Sequence, residues 1–456
     1  MGNVASSTPR KFARRPLALA GMLALLAGPS HCFATPPDVP GIARTQSRTP
    51  HSIATQQRLR IWLIDVGQGD AILIELPESV STALGNPAGD PVNILIDGGA
   101  SPVNLARRTP EFLHRIYGAT GVTIEHMVLT HHDRDHVVGL TRVLEDDTIA
   151  VTNVYVGGLA SFRRGVRDIP LTGNAGGFIG DTNRSLGRFS STGALEALYL
   201  VDTFGVLKAR VAANEFNSDY GDFAAAIVQK TKPDKVKSFE QACFGCGPLD
   251  AIHAPKAGVR PALSVTTLWP MKRPRGYGQW DKTTNGNSVA FRLDYGQFSM
   301  LFSGDLNTES EPDVVANLED EHRTALLDVD VFKAAHHGSD HNAPEFLEHE
   351  KLKPILSAAS MGGAGFMAYG HPSLDTITTL GGVKRFYSTY VHEIKFDRAK
   401  LTTDQKIQKL VEDTHLLIET DGERFRLVEV GTKHDSPIFD VNDVPANKGT
   451  PWISAN

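Results

Sequence analysis

Leu129-Thr130-His131-His132-Asp133-Arg134-Asp135-His136 closes an apolar run that begins at Ile124. Its last six residues hold three imidazoles and two carboxylates. The apolar run reads as a buried strand, and the polar cluster as the loop at its end. Burying so many titratable groups is costly unless something neutralises them. Neutral imidazole and carboxylate are common ligands of divalent metals, so the pattern points to a metal site at a strand end. The competing reading is a solvated polar turn ahead of a helix, which also tolerates Asp and His.

The same pattern recurs along the chain. Val92-Asn93-Ile94-Leu95-Ile96 runs into Asp97-Gly98-Gly99, and Phe298-Ser299-Met300-Leu301-Phe302 into Ser303-Gly304-Asp305. Val329 to Ala334 runs into Ala335-His336-His337-Gly338-Ser339. Strand termini on one edge of a layered sheet converge in space, as catalytic residues do on other α/β folds. One strand ending in Asp is unremarkable. Four ending in ligand-type residues are hard to explain by core packing, because His and Asp are poor buried residues without partners.

The surrounding pattern is that of an α/β domain with α+β layering. Arg58–Val66 and Ala71–Leu76 flank Gly67-Gln68-Gly69-Asp70 and read as a hairpin. Residues 104–117 have helical spacing, a second helix is expected from about Val137 to Glu145, and Val154-Tyr155-Val156 is a short strand. Residues 158–275 are less regular and read as an inserted region or cap. They hold Arg163, Arg164 and Arg167, a glycine-rich loop around Gly173–Gly180, an expected helix near Leu195–Val201, and Cys243 with Cys246. Strands resume at Ser288–Leu293, Phe298–Phe302, Val329–Ala334 and Ile355–Ala358. His415–Thr420 and Arg424–Val430 flank Asp421-Gly422, a second hairpin signal. The main domain is therefore expected over 58–435, with a linker over 35–57 and a loose tail over 436–456.

Of the 456 residues 41% are hydrophobic, enough for one large core or two moderate ones. The one strongly apolar run, Leu17 to Ala27, follows Arg10, Lys11, Arg14 and Arg15 and leads to Cys32-Phe33-Ala34. It is too short to span a bilayer and reads as a secretory signal peptide over 1–34. The expectation is an exported protein, periplasmic or secreted, with no membrane span in the mature chain. Loss of those four cations takes the net charge from −6 to −10, which excludes non-specific coating of polyanions. A zinc ribbon needs a second cysteine pair, which is absent. Cys243 and Cys246 then read as a tight structural disulfide, or as two free thiols.

Taken together, His131-x-Asp133-x-Asp135-His136, Gly304-Asp305 and His336-His337-Gly338-Ser339 resemble a metallo-β-lactamase-fold hydrolase. More narrowly, Asp65-Val66-Gly67-Gln68-Gly69-Asp70, Ile96-Asp97-Gly98-Gly99, Asn285-x-x-Ser288 and Gly370-His371-Pro372 resemble the hydrolase domain of the competence protein ComEC. The likeness covers about residues 58–430, interrupted by 158–275. It implies an αββα sandwich with an inserted region and two divalent metal ions, zinc or manganese. It also implies a metal-bound hydroxide as nucleophile. Asp305 would bridge the metals; His131 and Asp133 would serve one, and Asp135 and His136 the other, completed by one of His336 and His337. Catalytic roles fall to Asp135, His336 and His337, the non-ligating histidine donating to a phosphoryl oxygen or leaving group. Asp97 would orient a ligand histidine, or merely cap a strand end. Asn285, Ser288 and His371 are implied as substrate contacts, though each also reads as an ordinary turn or loop residue.

Two departures from the broader family matter. Asp133 stands in the second histidine slot of the usual His-x-His-x-Asp-His, and no middle histidine is evident, Asn285 lying near its expected place. Both exchange nitrogen for a harder oxygen, which tilts preference from zinc alone toward Mn²⁺ or Mg²⁺. ComEC proteins also carry a membrane channel, of which this sequence shows none, so DNA uptake is not implied.

Three functions remain open on these grounds. The first is an exported metal-dependent phosphodiesterase or nuclease acting on a small-molecule or oligonucleotide phosphoester. Lys272, Arg273 and Arg275 beside Tyr277 and Trp280 would grip phosphates and stack bases, or form a plain solvated loop. The second is a hydrolase of lactams, lactones or carboxylic esters on the same fold. The third is a non-catalytic metal-binding or adhesion protein. No protein partner is legible in the sequence.

Overall fold

Alternating aliphatic side chains build two sheets that face one another. The computed structural model describes residues 58–86, 91–99, 105–118, 121–163, 187–189, 195–198, 200–230, 236–254, 261–271, 284–361, 371–380, 386–389, 414–431, 450 and 452–455. The first strands are β1 (Leu59–Leu63), β2 (Ile72–Glu75), β3 (Asn93–Ile96), β4 (Val122–Leu129), β5 (Ile149–Val156), β6 (Gly187–Phe189), β7 (Leu195–Leu198) and β8 (Ser238–Gln241). Next come β9 (His253–Ala254), β10 (Leu263–Trp269), β11 (Ala290–Tyr295), β12 (Phe298–Phe302), β13 (Val331–Lys333), β14 (Leu356–Ala359) and β15 (Phe386–Ser388). The last are β16 (Thr414–Thr420), β17 (Arg424–Gly431) and β18 (Ile453–Ser454). The helices are α1 (Glu78–Ala83), α2 (Arg108–Tyr117), α3 (Arg134–Glu145), α4 (Phe204–Ala212), α5 (Ser218–Gln229), α6 (Ser310–Asp320), α7 (Pro344–Leu347) and α8 (Leu374–Thr379).

The first sheet has the order β18-β17-β16-β1-β2-β3-β4-β5-β8, the second β15-β14-β13-β12-β11-β10-β9. Both follow one plan. Strands β1, β2 and β3 pair antiparallel, then β3, β4, β5 and β8 pair parallel. In the second sheet β10, β11 and β12 pair antiparallel, then β12, β13, β14 and β15 parallel. Parallel pairing puts the carboxyl ends of β3 and β4 on one edge, and likewise those of β12 and β13.

Period-two alternation sorts the side chains between layers. Ile61, Leu63, Ile72 and Ile74 of the first sheet meet Leu293, Tyr295, Met300 and Phe302 of the second. Their neighbours Trp62, Leu73 and Leu95 point the other way, under Phe112 and Leu113 of α2, Val137 and Leu140 of α3, and Phe223 and Ile227 of α5. On the far side Leu268, Leu301 and Phe332 pack beneath Val314 and Leu318 of α6 and Phe346 of α7. Each such side chain contributes about 1.5–3 kcal/mol on burial. The layers run helix, sheet, sheet, helix, the αββα order that the resemblance implied.

Three expectations change. The described parts of 158–275 are woven into the domain: β8 pairs with β5, β10 is an interior strand of the second sheet, and α5 covers the first. Strands of two to four residues, such as β8 and β9, are too short to display a period, which is why this region reads as irregular. The helix expected near Leu195–Val201 is β7 from Leu195 to Leu198, paired antiparallel with β6. The tail is partly built in: β18 pairs with β17, and Trp452 lies 5.1–5.8 Å from the guanidinium carbons of Arg426, Arg424 and Arg58. Cys243 and Cys246 form a disulfide with Cα atoms 5.2 Å apart. The expected signal peptide, the linker, the Gly173–Gly180 loop and Lys272–Trp280 lie outside the described residues. Among the described residues no helix is long and apolar enough to cross a membrane.

Glu311 on α6 is wholly buried and accepts from the backbone N–H of Ala343. Burial pushes its carboxyl from the usual 4.5 up to about 8, against the pull of that hydrogen bond. The folded chain therefore binds this proton more tightly than the unfolded chain. The associated stability is complete below about pH 4.5 and is lost as pH rises toward 8. Denaturant titrations should show Glu311→Gln gaining on the parent chain by about 1.4 kcal/mol per pH unit across that window. A stability difference that is flat with pH would contradict this assignment.

Candidate metal centre

The ligand-type residues stand where the parallel strands end. Asp97 follows β3, Thr130 and His131 follow β4, Asp305 lies three residues past β12, and His336 and His337 follow β13. Asp135 and His136 sit in the first turn of α3. The two sheets are stitched at this edge by Val289 N–H donating to Thr130 O (2.9 Å), and within the second sheet Asp305 N–H donates to Ser288 Oγ (3.0 Å). Gly69 permits the close approach of the β1–β2 turn, since a Cβ there would collide with the Asp135 carbonyl.

Three imidazoles converge on one carboxylate. His136 Nε2 and His337 Nε2 each lie 3.2 Å from Asp305 Oδ2, and His131 Nε2 lies 3.9 Å from it. Asp135 Oδ2 is 3.5 Å from His337 Nε2. The opposite ring nitrogens are held from outside. His136 Nδ1 is 2.8 Å from Asp97 Oδ2, and His337 Nδ1 is 2.9 Å from the Ser360 carbonyl. His131 Nδ1 lies 3.1 Å from Thr130 Oγ1 and 3.3 Å from Ser288 Oγ. Asp97 is itself fixed, accepting from Thr130 N–H (2.8 Å) and Thr130 Oγ1 (2.6 Å).

These contacts decide the tautomers. A carbonyl or carboxylate acceptor holds the proton on Nδ1 of His337 and His136, which leaves the Nε2 lone pairs facing Asp305. All three Nε2 atoms and Asp305 Oδ1 are buried without a hydrogen bond. Lone pairs aimed at a carboxylate repel unless a cation stands between them. The donor set therefore fits divalent metal ions. Among the described residues four groups of ligand atoms lie close enough to share an ion: His131 with His136 and Asp305, Asp135 with His136 and His337, and two that include Asp70.

Without metal, protons would fill that role. Burial opposes charging His136, but Asp305 and Asp97 outweigh it and hold the imidazole well above its usual range. His337 is likewise raised, burial again losing to Asp305 and Asp135. Asp305 is held well below the carboxylate range, His337 and His136 overcoming its burial. Metal binding must displace these protons, so metal affinity should weaken on acidification.

The backbone is bent to serve this edge. Five described non-glycine residues have left-handed φ, and three of them, Asp97 (55°), His336 (47°) and His337 (55°), stand here. Each costs about 1–2 kcal/mol. Such cost is typical of positions whose side-chain direction matters.

The other expected residues fall around this cluster. Asp133 is at the rim, its side chain 26% exposed and its Oδ2 3.9 Å from His131 Nε2. His336 turns away from the ligand cluster: its Nε2 is 3.3 Å from Asn285 Nδ2, and its ring centroid is 5.5 Å from that of His371. Burial, with His337 and His336 nearby, pushes His371 down to about 3. Ser288 is not at the opening. It is fully buried beneath His131, donating to Asn285 O (2.7 Å) and accepting from Asp305 N–H. Its place makes it a support for the ligands rather than a substrate contact. His132 packs edge-on against Tyr220, and Arg134 pairs with Asp219 at 3.0 Å, both away from the cluster.

Sequence reading missed Asp70 and Lys333. Both are buried, they form an ion pair, and Lys333 Nζ lies 3.8 Å from Asp305 Oδ1. The signal for Lys333 was available, since a lysine in an otherwise apolar strand is seldom buried without a charged partner. Asp70 lay within the quoted 65–70 run, but a turn aspartate has an ordinary explanation.

No family model and no curated protein matches this chain. Among solved structures, similarity extends to a metallo-β-lactamase from Cronobacter sakazakii carrying a HARLDQ-motif mutation (14% identity, 60% of this chain and 75% of that one, TM-score 0.26). It extends to MEM-A1, a subclass B3 metallo-β-lactamase from a soil metagenome library (12% identity, 60% and 79%, TM-score 0.26). It also extends to a diphosphatase of the PhnP family (10% identity, 79% and 98%, TM-score 0.30).

Asp97→Asn should keep the fold but weaken the grip on His136. Metal affinity, measured by competition with a chromogenic chelator, should fall about 10–100-fold. An affinity equal to that of the parent would show that Asp97 only caps β3.

Proposed function

We propose that this chain is an exported metal-dependent hydrolase that cleaves phosphoesters, as a phosphodiesterase or nuclease, with two divalent ions at the Asp305 centre. The observation that carries this reading is the convergence of three unbonded Nε2 atoms on Asp305, flanked by Asp135 and Asp133. Three buried carboxylates, Asp70, Asp97 and Asp305, and the partly exposed Asp135 face one ammonium, Lys333, which leaves a surplus of negative charge for cations to neutralise. The oxygen-rich donor set favours manganese over zinc. The motif resemblance to the ComEC hydrolase domain supports phosphoester chemistry, and the apolar run after Arg14-Arg15 supports export.

When bound, the metals supply a positive field that acidifies water and stabilises charge developing on the scissile group. The chain supplies orientation. Asp97, Ser288 and the Ser360 carbonyl each lock one ligand imidazole, so little reorganisation accompanies reaction. His336 and His371 stand together beside the ligands. Burial lowers the proton affinity of both, so they stay neutral and donate hydrogen bonds to a phosphoryl or leaving oxygen.

The test is a substrate screen of the purified chain with Mn²⁺. Bis-p-nitrophenyl phosphate or single-stranded DNA should be cleaved, with Asp135→Asn lowering kcat by about 100-fold or more. Turnover of nitrocefin or a lactone above that of every phosphoester would overturn the reading in favour of carboxyl-group hydrolysis.

A further inference from the structure

Lys333 is fully buried at the end of β13, between the side chains of two core layers. Its ammonium donates to the Gly304 carbonyl (2.9 Å), pairs with Asp70 Oδ2, and lies 3.8 Å from Asp305 Oδ1. Three segments meet there: the β1–β2 turn through Asp70, the end of β12 through Gly304 and Asp305, and β13 itself. An ammonium is costly to bury unless its partners are well placed, and these are.

The group that Lys333 touches has the makings of a cation site. Atoms of Asp70, Asp305 and His337 lie within 4.8 Å of one another, close enough to share an ion. Asp70 Oδ1 is buried without a hydrogen bond, 3.5 Å from His337 Nδ1. A divalent ion there would face the ammonium at short range, and like charges about 4 Å apart repel strongly inside a protein.

We propose that Lys333 is the resident cation of this centre: it ties Asp70 to Asp305 in the metal-free chain and closes the Asp70–Asp305–His337 group to metal. Bound metals are thereby confined to the side of Asp305 that carries His131, His136 and Asp135. The centre also keeps its shape before metal arrives, since one charge pair already joins the two sheets. This rests on the metal-centre reading above.

The experiment measures metal content and metal-free melting temperature of the purified chain and of Lys333→Met, Asp70→Asn and the double variant, each saturated with Mn²⁺ and desalted. Lys333→Met should hold one more ion per chain than the parent. Its metal-free form should melt lower, and added Mn²⁺ should narrow the gap. The double variant, lacking the extra carboxylate, should return to the parental count. A folded Lys333→Met with the parental count, and the same response of melting to Mn²⁺, overturns the proposal. Should Lys333→Met be insoluble, Asp70→Asn decides. It leaves the ammonium beside Asp305 without its partner, so Mn²⁺ binding should weaken roughly tenfold or more, and unchanged binding overturns the proposal. A parent chain that binds no metal at all would instead overturn the metal-centre reading, and this inference with it.

Discussion

Three imidazole lone pairs and one carboxylate, Asp305, point at the same small volume, and they cannot rest there without positive charge between them. Much of the surrounding structure follows from that constraint. Parallel pairing of β3 with β4 and of β12 with β13 gathers the contributing loops on one edge of each sheet. Face-to-face stacking of the sheets then brings Asp305 from one against His131 and His136 from the other. Left-handed backbone at Asp97, His336 and His337 aims side chains that ordinary extended chain would send elsewhere. The strain is held by the apolar packing on both faces of the sheets.

The outer contacts matter as much as the inner ones. An imidazole free to rotate would present either nitrogen, and a mobile Asp305 would relax toward water. Asp97, Ser288 and the Ser360 carbonyl remove that freedom at the three rings, while Lys333 and the Ser288 hydroxyl restrain Asp305. Each restraint comes from the end of a strand or from the loop that follows it. The sheets thus act as the rigid frame of the site rather than as a neutral support.

Much of this was legible in the order of residues, because chemistry at strand ends leaves a local signature. Ile124 to His136 announces both a buried strand and a ligand loop, and the Asp97, Asp305 and His336-His337 endings repeat it. The two hairpins were equally plain, since their alternation is long enough to count. Residues 158–275 were not, because β8 and β9 are too short to carry a period and β8 pairs with a strand distant in sequence, β5. Leu195–Leu198 looked helical for the same reason: four residues cannot separate a period of 3.6 from one of 2. Ser288 was misplaced because a hydroxyl near a site serves ligands and substrates alike, and only its burial separates the two. Lys333 stood out as a single cation in an apolar strand, but its partner did not, since Asp70 lies more than 250 residues earlier.

Anomalous diffraction from crystals of the purified chain grown with Mn²⁺ tests the central claim most directly. The account predicts two anomalous peaks about 3.5–4 Å apart beside the Asp305 carboxylate, both on its side away from Lys333 and each near one or more of the Nε2 atoms of His131, His136 and His337. Density maps without a peak beside Asp305, or with manganese bound only elsewhere on the chain, would contradict it.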